Sequence, residues 1–166
     1  QSTLWQTVND VTFASHEENS FVDFYQEGLI ARMLSREGPA AAVGDVNGDG
    51  LDDVFIGGAK NASSYLYIQQ AGGGFAMSDQ PDFDKRKYFE DTYAVFFDID
   101  KDGDKDLILA NRDGQQNYIY LNDQMNFEKK IPFGSGKDET RSVAIADVNN
   151  DGWSDIILAN IGEPNY

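Results

Sequence analysis

One nine-residue pattern, written three times, constrains this chain more than any other feature. It reads Asp-x-Asx-x-Asp-Gly-x-x-Asp and occupies residues 45–53, 98–106 and 147–155. Side-chain oxygens stand at the first, third, fifth and ninth positions: Asp45, Asn47, Asp49 and Asp53; Asp98, Asp100, Asp102 and Asp106; Asp147, Asn149, Asp151 and Asp155. The seventh position, Leu51, Asp104 or Trp153, can add its backbone carbonyl, so its side chain is free to vary. Oxygens at this spacing can surround a hard cation that takes about six to eight of them at about 2.3–2.6 Å. The sixth position is Gly50, Gly103 or Gly152, where the chain turns sharply and a Cβ is costly. Three Ca²⁺ sites are therefore expected.

The twelfth position separates these loops from a helix-flanked calcium hand, which closes its cage there with a bidentate Glu. Here that position is Ile56, Leu109 or Leu158, inside the apolar runs Val54-Phe55-Ile56, Leu107-Ile108-Leu109 and Ile156-Ile157-Leu158. Short aliphatic runs bounded by Gly or Asn read as buried strands. Ala41-Ala42-Val43, Val95-Phe96-Phe97 and Ala144-Ile145-Ala146, just before the loops, read the same way. Each loop is thus expected to join two strands.

Aligned on Asp45, Asp98 and Asp147, the repeats are spaced by 98 − 45 = 53 and 147 − 98 = 49 residues. Tyr65-Leu66-Tyr67-Ile68 matches Tyr118-Ile119-Tyr120-Leu121 as a third strand, and Gly74-Phe75 corresponds to Asn126-Phe127 at the start of a fourth. Four strands per period of this length describe a propeller blade, in which radial stacking covers both faces of each sheet.

With these residues in view, the chain resembles FG-GAP or VCBS-type repeats, the calcium-bearing blades also found in integrin α-subunit propellers. Gly57-Gly58-Ala59 stands where that family has Gly-Ala-Pro. More narrowly, Ser35-Arg36-Glu37-Gly38-Pro39, His16-Glu17-Glu18-Asn19 and Phe89-Glu90-Asp91 resemble the secreted VCBS-repeat proteins of Bacteroidota, relatives of the UnbV and cartilage-acidic-protein group. The resemblance covers residues 11–166. It implies an all-β fold of four-stranded antiparallel blades with Asp-rich calcium loops, within a larger propeller of about seven blades.

The 166 residues hold two full periods and part of a third, which is short for a closed ring. The expected division is an N-terminal segment at 1–38, blades at 39–80 and 81–131, and an incomplete blade at 132–166. The chain is accordingly expected to be the N-terminal part of a longer propeller, with Ile156 to Ala159 presenting a strand edge that something else meets. By analogy with other propellers, Val11-Thr12-Phe13 is the candidate closing strand. Residues 28–34 read equally as a helical turn or an extended loop.

A net charge of −16 disfavours nucleic acid as a partner. Three bound Ca²⁺ would bring it to −16 + 6 = −10, so much of the acidity belongs to the loops. The chain has no Cys, which removes disulfide and thiol chemistry. No apolar run approaches the ~20 residues of a membrane-spanning helix. The start at Gln1 without Met fits a processed protein, and open loops of this kind suit extracellular calcium. Export to the cell surface, with outer-membrane association, is the expected localisation.

His16, the lone histidine, reads as structural, and no nucleophile, base and acid can be assembled around it. No enzymatic activity is expected. Tyr65 and Tyr67, like Tyr118 and Tyr120, share a strand face and are expected to pack between blades, with sugar stacking the alternative. Lys85-Arg86-Lys87 reads as a solvated connection between blades. The resemblance implies a calcium-stabilised binding or scaffolding module whose partner is a protein or glycan at the cell surface, such as an outer-membrane complex. The alternative is an accessory or catalytic propeller of a secreted polysaccharide-degrading enzyme.

Overall fold

Every acidic loop closes a two-stranded hairpin, and the hairpins set the architecture. The computed structural model describes residues 13–15, 25, 39–59, 61–112, 114–136 and 138–161. The first sheet contains β1 (Ala41–Gly44), β2 (Asp53–Ile56), β3 (Tyr65–Gln69) and β4 (Phe75–Ser78). A one-turn helix α1 (Pro81–Asp84) follows. The second sheet contains β5 (Asp91–Phe97), β6 (Asp106–Asn111), β7 (Asn117–Tyr120) and β8 (Lys130–Phe133), and β9 (Thr140–Ala146) pairs with β10 (Asp155–Asn160). All pairings are antiparallel between sequence neighbours, giving two four-stranded sheets and one two-stranded sheet among the described residues. The fold is all-β, with the four-stranded antiparallel sheet as its unit.

The register repeats as well as the topology. Gly44 opposes Asp53, Phe97 opposes Asp106 and Ala146 opposes Asp155, so each loop closes on the pair formed by the residue before its first position and its own ninth Asp. The sheets then fan about their first strands, with β1 beside β5 and with β5 and β6 beside β9.

Side-chain alternation along β6 explains the stacking. Leu107 and Leu109 join Phe55, Leu66, Phe83 and Tyr120 in the core between the first two sheets. Ile108 and Ala110 point the other way, toward Ile145, Ile156 and Leu158 of the third. All six residues of β6 are consequently buried, whereas β2 and β10 bury one face each. Tyr67 and Tyr120 are buried as well, so both serve packing and neither offers a platform to a sugar.

Two local expectations need correction. In the second sheet the fourth strand begins at Lys130, not at Asn126-Phe127. Asp123 and Asn126 form a turn bridge across Gln124 and Met125, both with positive φ, and this turn drives Phe127 into the core. Of the candidate closing strand, only Phe13 is among the described residues. Its ring packs on Tyr67 and Phe75, and the Ala14 N–H donates to the Tyr67 hydroxyl at 2.8 Å. Val11, Thr12, His16 and residues 28–34 lie outside the described residues. Finally, Arg86 is buried and not solvated.

Arg86 sits at the centre of the junction between the first two sheets. Its guanidinium donates to Asp91 Oδ1 at 2.8 Å, to Asn111 Oδ1 at 2.7 Å and to the Tyr120 hydroxyl at 2.7 Å. Asp91 Oδ2 accepts from Ser64 Oγ at 2.6 Å and from the Gly58 N–H at 3.3 Å. At the next junction Thr140 stands where Asp91 does, and Asn117 stands in place of Ser64. Asn117 Nδ2 donates to Thr140 Oγ1 at 2.9 Å, and that hydroxyl donates to Asn160 Oδ1 at 2.9 Å. The second latch is neutral, so no buried arginine is required to balance it.

Candidate metal centres

A common set of hydrogen bonds shapes all three loops. The sixth-position N–H donates to Oδ2 of the first Asp: Gly50 to Asp45 at 2.8 Å, Gly103 to Asp98 at 3.2 Å, Gly152 to Asp147 at 2.9 Å. The seventh-position N–H donates to Oδ1 of the fifth, from Leu51 to Asp49, Asp104 to Asp102 and Trp153 to Asp151, at 2.8, 3.0 and 2.8 Å. The fifth-position N–H donates to the third side chain, Asn47, Asp100 or Asn149. These bonds curl the backbone of each loop around the side chains of its first, third and fifth residues.

The ninth Asp is different, because it ties the loop to the sheet. Its Oδ2 accepts the second-position N–H, from Val46 to Asp53, Ile99 to Asp106 and Val148 to Asp155, at 3.0, 2.9 and 2.9 Å. In the first two loops Oδ1 also accepts an N–H from the far end of the third strand or just past it, Gln69 for Asp53 and Asn122 for Asp106, both at 2.9 Å. The two partners lie at the same offset from their Asp, 69 − 53 = 122 − 106 = 16 residues. Asp53 and Asp106 are fully buried, and each oxygen keeps a second lone pair for a cation.

The second loop departs from the others at its first position. In the first and third loops the fifth-position N–H reaches Oδ1 of the first Asp, from Asp49 to Asp45 at 3.2 Å and from Asp151 to Asp147 at 3.1 Å. Asp98 Oδ1 receives no such bond and is buried without a partner. Carboxylate oxygens of Asp98, Asp100 and Asp106 lie within 4.8 Å of one another. A buried, unpaired carboxylate oxygen beside two more is a donor set that a hard cation satisfies. The Asp98, Asp100 and Asp106 cluster thus has the geometry to hold a metal ion.

Asp102 lies outside that cluster, and no comparable carboxylate group forms in the first or third loop among the described residues. There Asn47 Nδ2 donates to Asp49 Oδ2 and Asn149 Nδ2 to Asp151 Oδ2, at 3.0 and 2.9 Å. The amide thereby does internally part of what a cation would do.

Electrostatics follow the same division. Burial pushes the Asp106 carboxyl up, the charges of Asp100 and Asp102 add to that, and the Asn122 and Ile99 N–H groups oppose it. Asp45 is held below the usual carboxylate range: slight burial raises it, but N–H donors from Gly50, Gly48 and Asp49 together prevail. Asp151 is lowered by the Trp153 N–H and then by the Asn149 side chain.

Two features of the loops have no signature in the sequence pattern. The fourth position takes positive φ in all three loops, at Gly48, Lys101 and Asn150; Gly and Asn favour that region, but Lys101 gives no such signal. The loops also touch one another. Asn122 Nδ2 donates to the Val46 carbonyl in the first loop at 2.7 Å, and Lys101 Nζ contacts the Gly152 carbonyl and lies 4.1 Å from the Trp153 ring centre. The three loops therefore line one rim of the fan.

Comparison with known proteins gives one family match, described as FG-GAP-like repeat, over residues 45–109 and 98–158. The two matches share the second loop, and each runs from the first Asp of one loop to the strand after the next. Neither curated proteins nor solved structures gave a match. Among the described residues, no helix is long and apolar enough to cross a membrane.

Proposed function

This chain belongs to the FG-GAP-like repeat family, and from that premise we propose that it is a calcium-stabilised β-propeller module that binds or scaffolds a partner at the surface of an exporting bacterium. The observation that carries the calcium reading is the unpaired, buried Asp98 Oδ1 beside Asp100 and Asp106. Asp102, which lies outside that cluster, and the Asp104 carbonyl would join the set on binding. Asp45, Asn47, Asp49, the Leu51 carbonyl and Asp53 would hold a second ion, and Asp147, Asn149, Asp151, the Trp153 carbonyl and Asp155 a third. Bound there, Ca²⁺ neutralises the crowded carboxylates and fixes each loop against the sheet that follows it.

The ions in this reading are supports, with the partner approaching a surface away from the loop rim. Val43, Met77 and Ile157, exposed on the outer faces of the first and third sheets, support further blades on either side of the fan, and the resemblance puts the ring at about seven. The narrower likeness to secreted Bacteroidota proteins of the UnbV and cartilage-acidic-protein group favours export and a protein or glycan partner, an outer-membrane complex among them.

Affinity capture of the tagged protein from intact native cells, in millimolar calcium and in chelator, tests this function. The expected result is an externally accessible protein that recovers a surface component only in calcium. A strictly internal location, or turnover of a polysaccharide by the purified protein, would contradict it.

A further inference from the structure

We infer that Asn122 couples the first two loops, so that filling either one raises the affinity of the other. This rests on the proposal that both loops hold calcium. Asn122 belongs to the second repeat, is 3% exposed and commits its backbone N–H and both polar ends of its side chain. Its backbone N–H donates to Asp106 Oδ1 at 2.9 Å, its Nδ2 to the Val46 carbonyl at 2.7 Å and the Lys105 carbonyl at 3.2 Å, and its Oδ1 accepts from the Met125 N–H at 2.8 Å. Val46, also 3% exposed, donates its own N–H to Asp53 Oδ2 at 3.0 Å.

An unbroken run of hydrogen bonds therefore leads from Asp53, the ninth position of one loop, to Asp106, the ninth position of the next. It passes through two residues, Val46 by way of its backbone N–H and carbonyl and Asn122 by way of its side chain and backbone N–H, both shielded from water. Ordering the first loop around a cation fixes the Val46 peptide between Asp45 and Asp53. The Val46 carbonyl holds the Asn122 side-chain amide, which also donates to the eighth carbonyl of the second loop, while the Asn122 backbone N–H holds that loop's ninth carboxylate. The conformational entropy of these shared groups is lost once, when the first cation binds, and not again with the second. The third loop is joined differently, through the exposed Lys101 and Trp153, where solvent weakens the contact.

The test is a calcium titration followed by amide NMR, with Gly48 and Gly50 reporting the first loop and Gly103 the second. Silencing the second loop with Asp100→Ala and Asp102→Ala should weaken the first about fivefold or more, the lower end of ordinary coupling. The same silencing in an Asn122→Ala background should leave first-loop affinity unchanged, and Asp151→Ala in the third loop should not affect it in either. A first loop indifferent to the second, with both binding calcium, would overturn the coupling, as would an equal loss with and without Asn122.

Should Asn122→Ala fail to fold, the natural Asn122 still decides the matter. With the first loop silenced by Asp49→Ala, loading the second should shift the Val46 amide and Asn122 side-chain signals, and unmoved signals would overturn the coupling. No saturable shift at any loop would overturn the calcium reading itself, a result distinct from binding without coupling.

Discussion

At the sixth loop position Gly50, Gly103 and Gly152 have φ of 86°, 102° and 88°, and a Cβ built on any of them would meet nothing within 4 Å. Crowding is thus absent, and the cost of Gly103→Ala should be backbone strain alone, about 1–2 kcal/mol in denaturant unfolding. A neutral outcome would mean that the loop has another conformation at that residue. Arg86 presents the opposite case, since its value lies in its partners. Arg86→Met leaves Asp91 charged and buried, which should cost about 3–5 kcal/mol. Replacing Asp91 as well should recover part of that loss, because the uncompensated charge then disappears. Equal losses in the single and double variants would show that Arg86 matters for packing and not for balancing charge.

Among the elements, the loops should differ in how they respond to metal and to acid. The second offers four side-chain carboxylates against three in the others, and charge count strengthens such sites, so it should bind calcium most tightly near neutral pH. Acid should reverse part of that advantage. Asp45 and Asp151 titrate low, so their loops keep these charges, and the stability they contribute, until pH falls below the usual carboxylate range. Asp106 titrates high. Its ionised form is therefore the costly one without a cation, and it takes up a proton earlier as pH falls. Between about pH 7 and about pH 4, where an ordinary Asp is half-protonated, second-loop affinity should fall more steeply than that of the first. Loop-resolved titrations at the two pH values check this, and a steeper fall in the first loop would contradict it. The strands flanking each loop are legible in the sequence because short apolar runs between acidic turns have few other ways to be buried. The junction between the first two sheets is not. Phe83 lies on a one-turn helix and meets Phe55 and Tyr120 edge-on at 5.4 and 5.7 Å, while Lys85-Arg86-Lys87 reads as solvent-facing until Asp91, Asn111 and Tyr120 surround its middle member. Ligand positions could likewise be read from spacing, but the bond from Asp53 or Asp106 to a strand 16 residues away depends on sheet geometry. Phe83→Ala should cost about 3–5 kcal/mol, the range for an aromatic lost from a packed core.

On the scale of the whole molecule, three acidic loops share one rim of a fan that has no disulfide to hold it. Without cations, ten ligand carboxylates, three, four and three by loop, repel within a chain of net charge −16. Calcium at a hundred times its Kd adds about 2.7 kcal/mol for each site, and at this size each kcal/mol moves the melting temperature by about 2–4 °C. Thermal unfolding in millimolar calcium and in excess chelator, at matched ionic strength, is the most direct test of the claim that these loops are calcium sites on which the fold depends. The melting temperature should fall by more than about 10 °C in chelator and recover when calcium is restored. Superimposable melting curves would show that the loops hold their shape through the Gly, Asn and backbone N–H bonds alone, and that calcium has no part in stabilising the fold.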